Sequence, residues 1–482
     1  MKILKYLAIG LFISTSLIGC TDKFEEINTD PDAAKDVPAT NILAFNLRYY
    51  LANMYDAWNN MNEPETYGGH LAKIQYIDES RYVYRPGVVE NKWYYIYLTL
   101  QNVKNMQKIA ANKGNTNLQA VGMVLEAFMM QECTDTWRDV PYSDAFKLAS
   151  GVINPKYDTQ ENIYPALIVL LQQASELFIQ NKGSLGAGDV LFKGDVLKWR
   201  KFANSMILRL SMRISRVGEN VARPAFEKVM GNLTSYPIMD SNDDNAFFIW
   251  DTATPYQEPW FLDYKGRDDH SVSDVLVNKL KGLNDPRLGV YALPATGTGE
   301  YTGYTIGAAS QPNLASISRI GTRFRNVANG FTPMMRSSEV WFFVAEASKL
   351  GWSTGMATKT AYEKAVSLSL LENEIGAQSI ADYLATGGGK FADSYEQIYT
   401  QQWLALFKQG MEAWSLYRRT GIPTLYHAPG SSYSGHNVPP FRYPYPDTEK
   451  NLNSTNCSAS VAKVKDDFWG QQMWWDTRTG VQ

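Results

Sequence analysis

The chain has 482 residues, a formal charge of −3 and three cysteines. A slightly acidic chain lacks the basic footprint that phosphate binding needs, which excludes nucleic acid as a partner class. Three cysteines in a protein this long imply no disulfide framework, and the length, beyond a typical domain of about 150 residues, is enough to bury a large core.

Residues 1–19 place Lys2 and Lys5 ahead of an apolar run through Leu7, Ile9, Leu11, Phe12, Ile13, Leu17 and Ile18. This is the layout of a secretory signal, and it is short for a membrane span. Leu17-Ile18-Gly19-Cys20 resembles a bacterial lipobox, in which cleavage leaves the cysteine N-terminal and its thiol acylated. Cleavage there removes two lysines and no acid, moving the formal charge from −3 to −5. Residues 20–40 are polar, broken by Pro31 and Pro38, and read as a tether. The expectation is a chain anchored to a membrane through Cys20 rather than spanning one, with residues 41–482 as a single domain.

Beyond the tether one helical pattern follows another. Residues 91–111 pair with 118–133, and 164–179 with 197–217, where Trp199, Phe202, Met206, Leu210 and Val217 recur at helical spacing. Val340, Phe343, Val344 and Ala347 mark a further helix, followed by Ala361, Tyr362, Ala365 and Val366, which look like the second arm of a tetratricopeptide-type hairpin. Leu404, Phe407, Met411 and Trp414 predict one more helix, stopped by Gly421 and Pro423. The expected fold is mainly all-α: stacked helical hairpins with long irregular loops and a few short strands.

Two regions depart from this pattern. From about 231 to 335 Gly, Pro, Asn and Asp become frequent, and Ala246–Trp250 reads as a strand; a second loop-rich part fills about 421–482. Long ordered loops on a rigid scaffold are where binding usually resides.

The catalytic inventory is nearly empty. His70, His270, His427 and His436 are scattered, without His-Glu-x-x-His or Cys-x-x-Cys spacing, so no metal and no cofactor is expected. The carboxylates Asp263, Asp268 and Asp269 leave a surface glycoside hydrolase open as a lesser alternative. Asp240, Asn242, Asp244 and Asp251 fall at positions 1, 3, 5 and 12 of a calcium-type loop, but Asn245 stands where the turn prefers glycine, so an Asx-rich turn into a strand is the preferred reading.

Aromatics are the unusual feature: 13% of residues, with 29 Tyr and 13 Trp. Rings spaced without helical period, beside hydrogen-bonding side chains, supply faces for stacking and edges for orientation. The candidate ligand-binding residues are Trp58 and Tyr76 in the first long connection, Trp250, Tyr256, Trp260, Tyr264, Arg267 and Asp268 in the insertion, and Tyr301 and Tyr304 in a glycine-rich loop. Trp93, Tyr94 and Tyr95 open a helical run and are expected in the core.

Several stretches then fall into one pattern: FEEINTDPDA (24–33), TDTWRDVPYSDAF (134–146), WRKFANSMILRLSMRIS (199–215), LNDPRL (283–288), MMRSSEVWFFVAEAS (334–348), WLALFKQGMEAWSLYRRTGIP (403–423) and MWWD (473–476). Together they resemble the SusD/RagB family of Bacteroidetes outer-membrane lipoproteins, in particular its SusD-like branch. The resemblance implies a tetratricopeptide-like scaffold and a lipid-anchored protein on the cell surface. It further implies a lid over a SusC-like TonB-dependent transporter that captures oligosaccharides, or in some members oligopeptides, and does not cleave them. Within the motifs, Trp137, Asp139, Pro141 and Tyr142 read as a turn with Asp139 positioned to cap, and Arg336, Glu339, Glu346, Arg418 and Arg419 as charge partners between helices.

Overall fold

In the computed structural model, residues 38–481 are described, apart from 434, 465, 467 and 468. The signal segment, Cys20 and the tether up to residue 37 lie outside them. The first helix, α1, spans Ala39–Met54, so the last two residues assigned to the tether are already helical. It buries Leu43, Leu47, Tyr50, Leu51 and Met54 at helical spacing, leaving Phe45 and Arg48 on the opposite face.

The helices α2 (Pro86–Asn112), α3 (Thr116–Trp137), α4 (Gln160–Gln180), α5 (Val196–Arg213) and α6 (Glu219–Met230) follow. Each packs on the one before it, α1 on α2 and so on to α6, which makes the stacked hairpins expected from the periodicity. Local chemistry sets the ends. The Asn115 side chain accepts the Leu118 N–H to start α3, and Asp195 accepts the Lys198 N–H to start α5. Asp139 acts at longer range, accepting the Gln160 N–H at the start of α4. By length and composition α4 could cross a membrane, but its Ile163, Leu167, Ile168 and Leu171 face the stack.

The second half of the stack is formed by α8 (Ser337–Lys349), α9 (Thr358–Glu372), α10 (Tyr395–Ala405) and α11 (Gly410–Thr420), with α8 against α9, α10 and α5; α7 (Pro259–Gly266) belongs to the insertion. The periodic run Leu404–Trp414 is therefore not one helix. It breaks between α10 and α11, where Lys408 adopts φ 73°, buries its ammonium against Glu258 at 3.0 Å and donates to the Phe324 carbonyl. The pairing of that buried charge outweighs continuation of the helix. Gly421, at φ 77°, ends α11 as expected.

Buried ion pairs lock the helices in register. Arg209 of α5 grips Glu339 of α8 with two bonds of 2.8 Å, Arg419 of α11 grips Glu346 of α8 at 2.6 and 2.7 Å, and Arg336 meets Glu372 at 3.0 Å. Arg418 differs from its neighbour: it donates to the Asp135 and Phe441 carbonyls and lies 3.7 Å over the Trp414 ring. In LNDPRL the buried Asp285 and Arg287 pair at 2.6 Å, and Arg287 also reaches Gln401 of α10 and Ser369 of α9.

The strands are short and pair antiparallel; the two longest pairs are β1 (Leu71–Lys73) with β3 (His270–Val272), and β2 (Ala246–Ile249) with β4 (Phe331–Met335), beside two two-residue pairs, Val140–Pro141 with Tyr157–Asp158 and Ala292–Leu293 with Arg319–Ile320. The acidic run before β2 is a turn, as preferred. Asp244 accepts the N–H groups of Asp240 and Ser241 and pairs with Lys201 at 2.7 Å. Asp240 is taken by Lys364.

Candidate functional site

The β1–β3 ribbon joins two connections that are far apart in sequence. Leu71 faces Val272 and Lys73 faces His270, and the Ile74 N–H extends the ladder to the Asp269 carbonyl at 2.9 Å. His270, the buried first residue of β3, bonds Asp263 of α7 at 3.1 Å and Asn62 of the first connection at 2.8 Å. Burial pushes the Asp263 carboxyl up, but the His270 contact outweighs it and holds the group below its ordinary value. This pair fixes α7 against the first connection.

On that base four of the expected residues meet. The Tyr76 ring is 64% exposed, and the Arg267 guanidinium lies 4.2 Å over it while reaching Asp269 at 2.5 Å. Tyr264 carries the Arg325 guanidinium 4.5 Å above its ring, and Arg325 in turn pairs with Asp268. Asp268 also receives Arg319, whose Nη2 bonds the Asp268 carbonyl at 2.7 Å. The result is two aromatic rings, each stacked with a guanidinium; Arg267 pairs with Asp269, while Arg325 and Arg319 share Asp268. Trp58, exposed on the first connection, adjoins through Lys73, whose ammonium is 5.9 Å from its ring.

Tyr76 and Asp268 both have positive φ, 47° and 54°. Aspartate tolerates that region, but a bulky tyrosine there is held by its surroundings, a feature that clusters at binding sites.

The remaining expected residues lie elsewhere. Trp260 is fully buried, edge-on to Phe407, with the Lys408 ammonium 5.1 Å from its ring, and it presents no face to a ligand. Its expected place on a stacking surface is corrected accordingly: Pro259 starts α7 and turns this ring inward. Trp250 is also buried, donating to Thr332 Oγ1 at 2.8 Å, so its expected role is corrected to a supporting one. Tyr256 is 44% exposed but pairs with Arg48 of α1, at 4.1 Å, away from the ribbon contacts. Tyr304 docks on the far end of the ribbon through its N–H to Val272, with its hydroxyl bonded to the Ser310 carbonyl. Tyr301 is half-buried, and its carbonyl accepts Lys281.

Sequence reasoning missed the partners Asp269, Arg319 and Arg325 as a set. Arg325 and Asp268 are 57 positions apart, a pairing that no local pattern encodes. It also misplaced Tyr94, which is 58% exposed rather than core, while Trp93 is buried as expected.

The helical-hairpin scaffold presents the Tyr76 and Tyr264 rings, each with its guanidinium, next to the β1–β3 ribbon. The family model described as "Starch-binding associating with outer membrane", SusD-like_2, matches residues 32–446. The chain belongs to this SusD-like family, whose proteins bind carbohydrate and are associated with the outer membrane. Among solved structures it is similar to one titled chitin-binding protein, at 27% identity and a TM-score of 0.81, covering 92% of this chain and 100% of the other. A SusD homolog from Bacteroides uniformis follows at 24% identity and TM-score 0.80, covering 92% and 100%. A chitin-binding SusD homolog from Flavobacterium johnsoniae stands at 24% and 0.79, covering 92% and 98%. Among curated protein sequences none matches.

Proposed function

We propose that this chain is a cell-surface lipoprotein, acylated at Cys20, that captures a neutral oligosaccharide on the Tyr76–Tyr264 platform and passes it to a SusC-like TonB-dependent transporter. The observation that carries the reading is the exposed Tyr76 ring with its guanidinium already neutralised. Such a surface offers a stacking face and N–H edges to sugar hydroxyls, with Arg267 already paired to Asp269.

The charge pairing also supports one ligand class over the other. A peptide carboxylate or acidic sugar would need a guanidinium to receive it, and Arg267, Arg323 and Arg325 lie in the same insertion as the aromatic residues. They are engaged by Asp269, Glu374 and Asp268 respectively. Displacing those partners costs the incoming carboxylate much of its gain, which favours neutral glycans over acidic peptides. Each of the three carboxylates named for the glycoside hydrolase alternative is engaged: Asp268 by Arg319 and Arg325, Asp269 by Arg267 and Asp263 by His270, which weighs against that reading. The chitin-binding title of the 27%-identical structure supports a β-linked amino-sugar oligomer as the first ligand to test.

The test is affinity purification of the tagged chain from its own outer membranes. The reading expects an outer-membrane barrel to accompany it and the Cys20→Ala variant to leave the membrane fraction. A wild-type chain recovered without a barrel, or a Cys20→Ala variant still membrane-bound, contradicts it.

A further inference from the structure

A second aromatic surface lies on the helical scaffold, built from side chains that the ribbon platform does not use. Phe45 and Tyr49, one helical turn apart on α1, stack with centroids 5.2 Å apart and planes 18° from parallel. Phe45 is 49% exposed. Tyr49 also meets the edge of Tyr95 of α2 at 5.9 Å, and Tyr95 contacts Tyr94. Facing them across an open groove of about 460 Å³ are Tyr256 and Pro255, with Trp250 and Val190 along the wall. That volume is in the range of about 300–1,000 Å³ usual for small-molecule sites.

The groove has a polar end as well as an aromatic one. It continues past Arg48 and Tyr256 toward Asp251, Thr252 and Asn329. Arg48 lies flat on Tyr256 at 4.1 Å, and among the described residues no carboxylate comes within 4 Å of it. Asp251 is near enough to feel its charge, and its carboxylate accepts the Ala253 N–H at 3.0 Å. Asn53 contributes an amide at the α1 side. One cation and one anion lining the same end leave the groove close to neutral, while their N–H and oxygen edges supply hydrogen-bonding groups. A purely apolar groove would suit a partner helix; a stacked pair of rings at the surface followed by an arginine, an aspartate and an asparagine suits a ring-shaped ligand with hydroxyls on its rim.

We infer that this groove is a second saccharide-binding site, separate from the Tyr76 platform, and that it stacks a sugar ring on Phe45 and Tyr49 while Arg48, Asp251 and Asn329 hold its hydroxyls. The inference rests on the glycan-binding reading above but uses none of the platform's residues. Two sites on one chain would hold a long oligosaccharide at two points or retain a second molecule, raising the effective local concentration of ligand.

The test is calorimetric titration of the purified full chain with chitohexaose, cellohexaose and maltohexaose in parallel, each repeated with Tyr76→Ala and with the double variant Tyr49→Ala/Tyr256→Ala. All three side chains are surface-accessible, and thermal melting verifies that the variants fold. The expected result is two sites per chain, with the double variant weakening one of them about tenfold or more and leaving the other intact. Binding at one site that Tyr76→Ala alone abolishes would overturn the inference and leave the platform standing. Binding lost only in the double variant would uphold the groove and overturn the platform. No uptake of any of the three sugars contradicts the groove and the glycan reading together.

Discussion

The Arg267 guanidinium lies 4.2 Å over the Tyr76 ring and is held there by Asp269 at 2.5 Å. Tyr76 reaches this position at positive φ, two residues past the point where Ile74 bonds the Asp269 carbonyl. Ring, guanidinium and carboxylate therefore sit on one short ribbon whose two strands come from loops almost two hundred residues apart.

Tyr76→Ala should weaken oligosaccharide binding about tenfold, since one stacking face and its cation are lost together. Its ring is mostly in solvent, so the melting temperature should stay within a degree or two of wild type. Titration alongside thermal melting checks both parts; a large drop in melting temperature would mean the ring is structural instead.

Trp260→Ala should do the reverse. A fully buried tryptophan packed against Phe407 leaves a cavity, and the expected cost is about 3–5 kcal/mol of stability. Denaturant unfolding measures it, and a loss under 1 kcal/mol would contradict the core placement.

These two tyrosine and tryptophan positions show what was legible in the sequence. The helical hairpins α2–α3, α4–α5 and α8–α9 were, because their apolar residues recur at a period that sequence displays. The break at Lys408 was not, since Leu404, Phe407, Met411 and Trp414 keep a helical period across it. The cause is a pairing with Glu258, 150 positions away in sequence, which the local pattern does not record. Likewise Trp260 and Tyr264 share one short helix and the same composition, yet one is core and the other is on the platform. Only the direction in which α7 docks separates them. Spacing could flag aromatic loops but could not tell which rings face water.

Glu339→Ala should cost about 3 kcal/mol, because it strips the buried Arg209 guanidinium of both 2.8 Å bonds and leaves it Glu412, at 3.6 Å, as the remaining carboxylate. Arg209→Met combined with Glu339→Leu should recover much of that loss, since no lone charge remains. Equilibrium unfolding of the single and double variants distinguishes this from a simple packing defect, in which the double would be the worse of the two.

Stability should also vary with pH through Glu63. Burial pushes its carboxyl up from 4.5 to about 7, outweighing the nearby Tyr443 and Lys92. The folded chain then holds a proton that the unfolded chain releases between those values. The Glu63 contribution is full below pH 4.5, declines as pH rises through that window and levels off above about 7. Glu63→Gln, which cannot ionise, should gain on wild type by up to about 3 kcal/mol between about pH 5 and pH 7.5. Unfolding curves at both pH values measure the difference, and an unchanged gap would refute the assignment.

The central claim is capture of a neutral oligosaccharide on the Tyr76 platform. The most direct measurement is a titration of chitohexaose into wild type and Tyr76→Ala under identical conditions, with an acidic hexapeptide as the competing ligand. The account predicts saturable micromolar binding of the sugar, weakened about tenfold in the variant, and no measurable binding of the peptide. Tight peptide binding, or sugar affinity unchanged by loss of the Tyr76 ring, would contradict it.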